Sequence, residues 1–284
     1  MNAACTGCCG RWRKGSRVRP MSRWLEGVED RLAAAEGLGA RLDAMLAALG
    51  SRGFTSLGYD YTPVPTTPDG APIPPSLLEI RNIDAEMPEL WVNGGFCQID
   101  PMQELAIGAS SPFLWSCNRD ADTSRGDPAL NALVGILEER HRPVIRYLKD
   151  TRMTIGVTVP MRLAAGGLAT FNAVRIDPEP GFEKDARYHL REVALAGYAF
   201  HNAALECFDP ASLPTRHVKL SPRETECLKL CAKGMTAKQI AFKLDRSPAT
   251  VMLHLKSATR KLGARNRVQA VARAAHYRLL DGAC

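Results

Sequence analysis

Apolar residues recur at helical spacing from residue 21 onward: Leu25, Val28, Leu32, Leu42, Met45, Leu46 and Leu49 mark helices over 21–49, broken or bent at Gly37 and Gly39. The period then shortens. Residues 54–61 and 77–83 read as strands. Between them, 62–75 holds six prolines and a Pro-Asp-Gly turn, the composition of a loop. A helical stretch follows near 101–108. Leu130, Leu133, Ile136, Leu137, Val144, Ile145 and Leu148 predict a long helix over 128–150, bent at Pro143. Residues 153–160 and 168–176 read as a β-hairpin around an Ala-Ala-Gly-Gly turn, and 182–207 as another helix. Residues 209–216 carry two prolines and read as a linker. No internal repeat or low-complexity segment interrupts this order.

Beyond the linker the punctuation is purely helical. Ser221-Pro222-Arg223-Glu224 is a capping box with proline at the first helical position, and Gly234 fits the stop of that helix. Thr236-Ala237-Lys238-Gln239 opens a second helix through Ile240, Ala241 and Leu244. Asp245-Arg246 form a turn, and Ser247-Pro248 cap a third helix that runs to Leu262 and stops at Gly263. Asn266 caps a fourth. Two short helices joined by a tight turn, the second of them basic, are the layout of a helix-turn-helix. In the third helix Val251, Leu255, Ala258 and Leu262 form the stripe expected to be buried. Met252, Lys256 and Arg260, with Leu253 beside them, form the face a major groove would meet.

Charge sharpens that picture. The net charge is +7, but residues 217–284 carry 14 Lys+Arg against 4 Asp+Glu, while residues 21–216 carry 18 against 26. A basic end on an acidic body suits a polyanionic partner; a solvated charged face fits the same balance. The hydrophobic content of 45% is enough for a real core, and no apolar run is long enough to span a bilayer, so no membrane partner is expected.

The nine cysteines do not form a disulfide framework. Cys97, Cys117, Cys207, Cys227 and Cys231 read as small buried residues in a reducing compartment, which places the protein in the cytoplasm. Cys5, Cys8 and Cys9 cluster in a Gly/Arg-rich stretch without a partner cluster, so no metal is assigned to them. Residues 1–20 have no apolar segment of a secretory signal and read as a disordered arm or a mis-annotated start, with Met21 as the functional beginning.

The segment from Leu220 to Ala274 resembles, without gaps, the DNA-binding domain of the LuxR family. The resemblance implies that Glu224, Leu228 and Gly234 hold the domain together and that Met252, Leu253 and Lys256 read bases. It implies phosphate contacts from Thr236, Lys238, Ser247, Thr250, Lys261 and Arg265, with Arg260 on the same face; Lys238 and Lys261 also read as plain solvated lysines. Met252 offers no strong donor, so readout there would be apolar contact with a thymine methyl. One short helix-turn-helix meets one half-site, which predicts a homodimer on a two-fold double-stranded DNA operator, with RNA polymerase as a further partner if the protein activates.

Upstream, MPELWVNGGFCQIDPM, SSPFLW and IGVTVPM resemble, in order, the autoinducer-binding domain of acyl-homoserine-lactone receptors. Trp91, Asp100, Pro101, Trp115 and Gly156 fall on its signature. The implied small-molecule signal is an N-acyl homoserine lactone, with no cofactor. Trp91 would donate to its ring carbonyl, Asp100 would accept from its amide N–H, and Trp115 would shape the headgroup pocket. Leu57, Tyr59 and Tyr61 on the first strand are candidates to line the tail. The same residues also read as two core aromatics and a helix cap. The chain departs from the pattern between Trp91 and Asp100, which is about four residues short. Met87 and Gly95 stand where tyrosines are expected, and 118–142 is longer than usual.

The expected architecture is an α/β/α sandwich with an antiparallel sheet over 21–207, a linker over 208–216, and a small all-α, four-helix helix-turn-helix domain over 217–284. The function it implies is a ligand-responsive, quorum-sensing transcriptional regulator. The alternative is an orphan regulator of the same type whose N-terminal domain acts without ligand or through a protein. An enzyme is not expected: the chain carries no nucleophile elbow or metal-ligand cluster, and GMTAKQ and AAGG lack the spacing of a phosphate loop.

Overall fold

The computed structural model describes residues 23–117, 131–163, 166–210, 212–213, 215 and 218–280. The Cys5, Cys8 and Cys9 cluster, the start at Met21, residues 128–130 of the expected long helix and His217 lie outside the described residues.

Among the described residues five antiparallel strands form the sheet: β1 (Ser56–Thr62), β2 (Leu77–Arg81), β3 (Phe113–Ser116), β4 (Met153–Arg162) and β5 (Leu168–Ile176), in the order β2-β1-β5-β4-β3. Helices α1 (Arg23–Ala34), α2 (Gly37–Gly50) and α6 (Phe182–Ala204) cover one face. The other carries α3 (Met87–Val92), α4 (Pro101–Gly108) and α5 (Arg142–Asp150). This is the α/β/α sandwich expected from the sequence. Gly37, at φ +78°, makes the break between α1 and α2, a conformation that costs glycine little.

The first face is the main core. Leu42, Met45 and Leu49 of α2 are fully buried against β1, β4, β5 and Phe200 of α6; each such side chain contributes about 1.5–3 kcal/mol by leaving water. Arg41 fastens α2 to the end of α6, donating to the Ala203 carbonyl and to Glu206 Oε2 at 2.6 Å. Period-2 alternation sends Leu57, Tyr59, Tyr61, Val157, Val159 and Phe171 into this core. Gly58, Asp60, Thr158, Thr170 and Asn172 therefore face the opposite way.

Three expectations change. The long helix over 128–150 is only α5, because Pro143 sits in its first turn and starts it rather than bending it. Gly135, at φ +80°, interrupts the preceding turns. The short elements α3 and β3, too brief to show a period, were not expected. Cys97, Cys117 and Cys227 are buried, but Cys207 is exposed at the end of α6, and Cys231 is half-buried.

The C-terminal unit has four helices: α7 (Pro222–Ala232), α8 (Ala237–Leu244), α9 (Pro248–Lys261) and α10 (Arg267–His276). Both capping boxes form, with Ser221 accepting from the Glu224 N–H and Thr236 from the Gln239 N–H; Ser247 and Asn266 cap α9 and α10. Asp245 adopts φ +51° in the turn between α8 and α9. Val251, Leu255, Ala258 and Leu262 are buried, as the stripe required. The proline-rich loop between β1 and β2 reaches this unit: Val64 and Ile73 join its apolar cluster, and His276 Nε2 donates to the Thr66 carbonyl at 2.7 Å.

Candidate functional site

Between the second face of the sheet and helices α3 to α5 lies a cavity of about 80 Å³, walled by Trp91, Met102, Trp115, Leu148 and Val174 and floored by Asp60, Thr158, Thr170 and Asn172. Three residues singled out in the sequence meet there. Pro101 starts α4, and Asp100 caps it, Oδ1 accepting from the Met102 N–H at 2.9 Å. The other oxygen, Oδ2, accepts from Trp91 Nε1–H at 2.8 Å. Asp100 is thus both a helix cap and one half of an indole–carboxylate pair at the cavity wall. Burial pushes its pKa up, against the lowering effect of the bonds from Trp91, Met102 and Gln103.

Trp115 is fixed from two sides. Its Nε1–H donates to Thr158 Oγ1 at 3.1 Å, and its ring lies over Gly156, its register partner on β4. A Cβ at residue 156 would stand 2.3 Å from the indole Cζ2, so glycine is required for the ring to lie there.

Leu57, Tyr59 and Tyr61 are a correction. They lie on the other face of β1, in the core with α2 and α6, and line no part of this cavity. Tyr59 Oη and His201 Nδ1 share a 2.9 Å hydrogen bond, and Tyr61 donates to the Pro210 carbonyl at 3.5 Å. Strand β1 is buried on both faces: its apolar parity packs into the main core, and the alternate parity, Gly58 and Asp60, faces the cavity.

The residues missed are those of the floor. Thr158 donates to Asn172 Oδ1 at 2.7 Å, Asn172 Nδ2–H donates to Thr170 Oγ1 at 2.9 Å, and Thr170 donates to Asp60 Oδ2. Burial is the main cause pushing the Asp60 pKa up to about 7; the Thr170 bond lowers it and the charge of Asp100 raises it further. An aspartate in an otherwise β-favouring run was the one signal available. Gln103, also on the wall, leaves its buried Nε2 without a partner among the described residues.

On the C-terminal unit, Met252, Leu253, Lys256 and Arg260 share the exposed side of α9, with Met252 at 56% and Leu253 at 68% exposure. Lys238 and Arg265 are exposed as well. Thr236 and Ser247 are occupied as caps, and the half-buried Thr250 shares a 2.9 Å hydrogen bond with Ser247. Lys261 is exposed too, and its ammonium lies 2.8 Å from Glu224 Oε2 as the counter-ion of a buried carboxylate. Phe242, on α8, is 91% exposed and had not been singled out.

A family profile described as "Autoinducer binding domain" matches residues 35–204, and one described as "Bacterial regulatory proteins, luxR family" matches residues 218–274. The chain belongs to the LuxR family. This LuxR-family chain is a DNA-binding transcriptional regulator with an autoinducer-binding domain. It is 30% identical over 241 residues to the HTH-type quorum sensing-dependent transcriptional regulator RpaR of Rhodopseudomonas palustris, covering 84% of this chain and 87% of the relative. It is 27% identical over 259 residues to the transcriptional activator BjaR1 of Bradyrhizobium diazoefficiens, covering 87% and 94%. A crystal structure of Escherichia coli SdiA aligns over 91% of this chain and 98% of that one, with TM-score 0.48 and 18% identity. The relatives are regulators rather than enzymes. Among the described residues no helix is long and apolar enough to cross a membrane, and no group of His, Cys, Asp and Glu could hold a metal ion.

Proposed function

We propose that this LuxR-family regulator takes an N-acyl homoserine lactone in the cavity between the sheet and α3 to α5, and that the lactone controls its binding, as a homodimer, to a two-fold DNA operator. The observation that carries the reading is the Trp91–Asp100 hydrogen bond at the cavity wall. An amide-linked lactone has two carbonyl acceptors, one on the ring and one on the amide, and one donor, the amide N–H. Entering between indole and carboxylate, it takes the Trp91 N–H on its ring carbonyl and returns its own N–H to Asp100. The exchange leaves neither the Trp91 N–H nor the Asp100 carboxylate unpaired, and Asp100 keeps its cap on Met102. Trp115 packs on the headgroup, held by Gly156 and Thr158.

On the DNA side, Met252, Leu253 and Lys256 meet base edges, and Arg260, Lys238, Arg265, Thr236, Ser247 and Thr250 meet the backbone. The phosphate contacts supply the salt-dependent part of the affinity. If the protein activates, the bound dimer also engages RNA polymerase.

The test is a thermal melt of the full chain with N-acyl homoserine lactones of varied chain length. A saturable rise for some members, lost in Asp100→Asn, supports the reading, because asparagine preserves the helix cap and removes the charged acceptor. The absence of a rise for every member sinks it and leaves a regulator that responds to another ligand or to none.

A further inference from the structure

The floor of the cavity is a directed chain of hydrogen bonds. It starts at the Trp115 indole and passes through Thr158, Asn172 and Thr170 to Asp60. Strand register builds it: Thr158 pairs with Asn172 across β4 and β5, and Asp60 with Thr170 across β1 and β5. Each threonine has a single hydroxyl proton, and in this chain each proton is already spent on the next acceptor. Every link therefore points the same way, and the chain ends on a carboxyl group. Asp60 Oδ2 is taken by Thr170, while Oδ1 is buried without a hydrogen-bond partner among the described residues, and Asp60 lines the cavity. A buried acceptor left unmade costs stability, and a ligand that supplies a donor recovers that loss on binding.

We propose that Asp60 is a specificity-determining residue of this cavity, accepting a hydrogen bond from a hydroxyl group carried on the acyl part of the ligand. The inference rests on the lactone reading above and adds to it the class of acyl chain. A saturated chain would leave Oδ1 unpaired. A keto oxygen would set a second acceptor against the carboxylate, and repulsion would follow. A hydroxyl donates to the ionised group and can accept from it when protonated, so it suits Asp60 on either side of the value near 7 to which burial pushes it.

The experiment is calorimetric titration of the full chain at pH 8 with matched triplets of N-acyl homoserine lactones. Each triplet shares a carbon skeleton that is unsubstituted, hydroxylated or keto at one position, and the position is varied along the chain. The expected result is one position at which the hydroxylated member binds about tenfold tighter or better than both others, the scale of one buried hydrogen bond. Asp60→Leu should abolish that preference. Asp60→Asn keeps the volume and an oxygen for Thr170 but turns an amide donor to the cavity, so the keto member should gain on the hydroxylated one. Triplets that bind alike at every position, or a hydroxyl preference that persists in both variants, overturn the proposal. Failure of every lactone to bind removes the lactone reading, and this inference with it.

Discussion

Trp115 lies across Gly156 so closely that a Cβ on residue 156 would meet the indole Cζ2 at 2.3 Å. The two are register partners on β3 and β4, so the ring cannot slide away without breaking its bond to Thr158. Gly156→Ala should displace the indole and cost about 1–3 kcal/mol of stability, the usual penalty of forcing a methyl into a packed site. Its sharper readout is near-UV circular dichroism and tryptophan emission from Trp115. An unchanged spectrum with wild-type stability would contradict the contact.

Tyr59 and His201 form a buried pair on the side of the sheet away from the cavity. Tyr59→Phe strands the imidazole Nδ1 and should lower stability by roughly 1–3 kcal/mol in denaturant unfolding. Lactone affinity should not change. A shifted dose curve at matched stability would return Tyr59 to the cavity.

Asp60 makes folding pH-dependent in an unusual direction. Its folded pKa, about 7, lies above the ordinary 3.8, so between these values the folded state holds more protons than the unfolded one. Stability therefore falls as pH rises through that window, by up to roughly 1.4 kcal/mol for each unit of pKa difference. Asp60→Asn should melt near the wild type at pH 4 and above it at pH 8. A gap that does not widen with pH would count against the shift.

Glu224 behaves in the opposite sense. Burial alone would raise its pKa, but hydrogen bonds from Lys261, the Ser221 N–H and Ser257 hold it at about 2. The stability this group contributes is complete above about pH 4.5 and is lost as pH falls toward 2. Lys261→Ala should destabilise α7 to α10. Because the lysine is partly solvated, the loss should stay below the roughly 3–5 kcal/mol of a fully buried pair. Lys238→Ala should leave the melt unchanged and weaken DNA binding with a shallower salt dependence. Equal melts for the two variants would restore Lys261 to a simple phosphate role.

Lys256 projects from the exposed side of α9 beside Met252 and Leu253. Lys256→Ala should weaken operator binding by about 1–3 kcal/mol while nonspecific DNA binding falls less. Equal losses on both, measured by fluorescence anisotropy, would make it a backbone contact.

The sequence by itself determined what local chemistry decides. Ser221, Thr236, Ser247 and Asn266 announce four helix starts because a capping side chain satisfies its own backbone within three residues. The stripe Val251, Leu255, Ala258 and Leu262 shows which side of α9 is buried because one helix period sorts inside from outside. Trp91, Asp100, Trp115 and Gly156 were legible through the spacing of a resemblance, and the structure gathers the first three around one cavity with Gly156 beneath Trp115. Tertiary structure alone decided which face of β1 meets the cavity. Alternation separates Leu57, Tyr59 and Tyr61 from Gly58 and Asp60, but both faces are covered, and only the packing of whole helices on each side places Tyr59 beside His201 and Asp60 at the cavity. It also decided that Lys261 answers Glu224, 37 residues away in the chain. Such pairings are fixed by the packing of whole helices and strands, and a local pattern of residues holds no record of them.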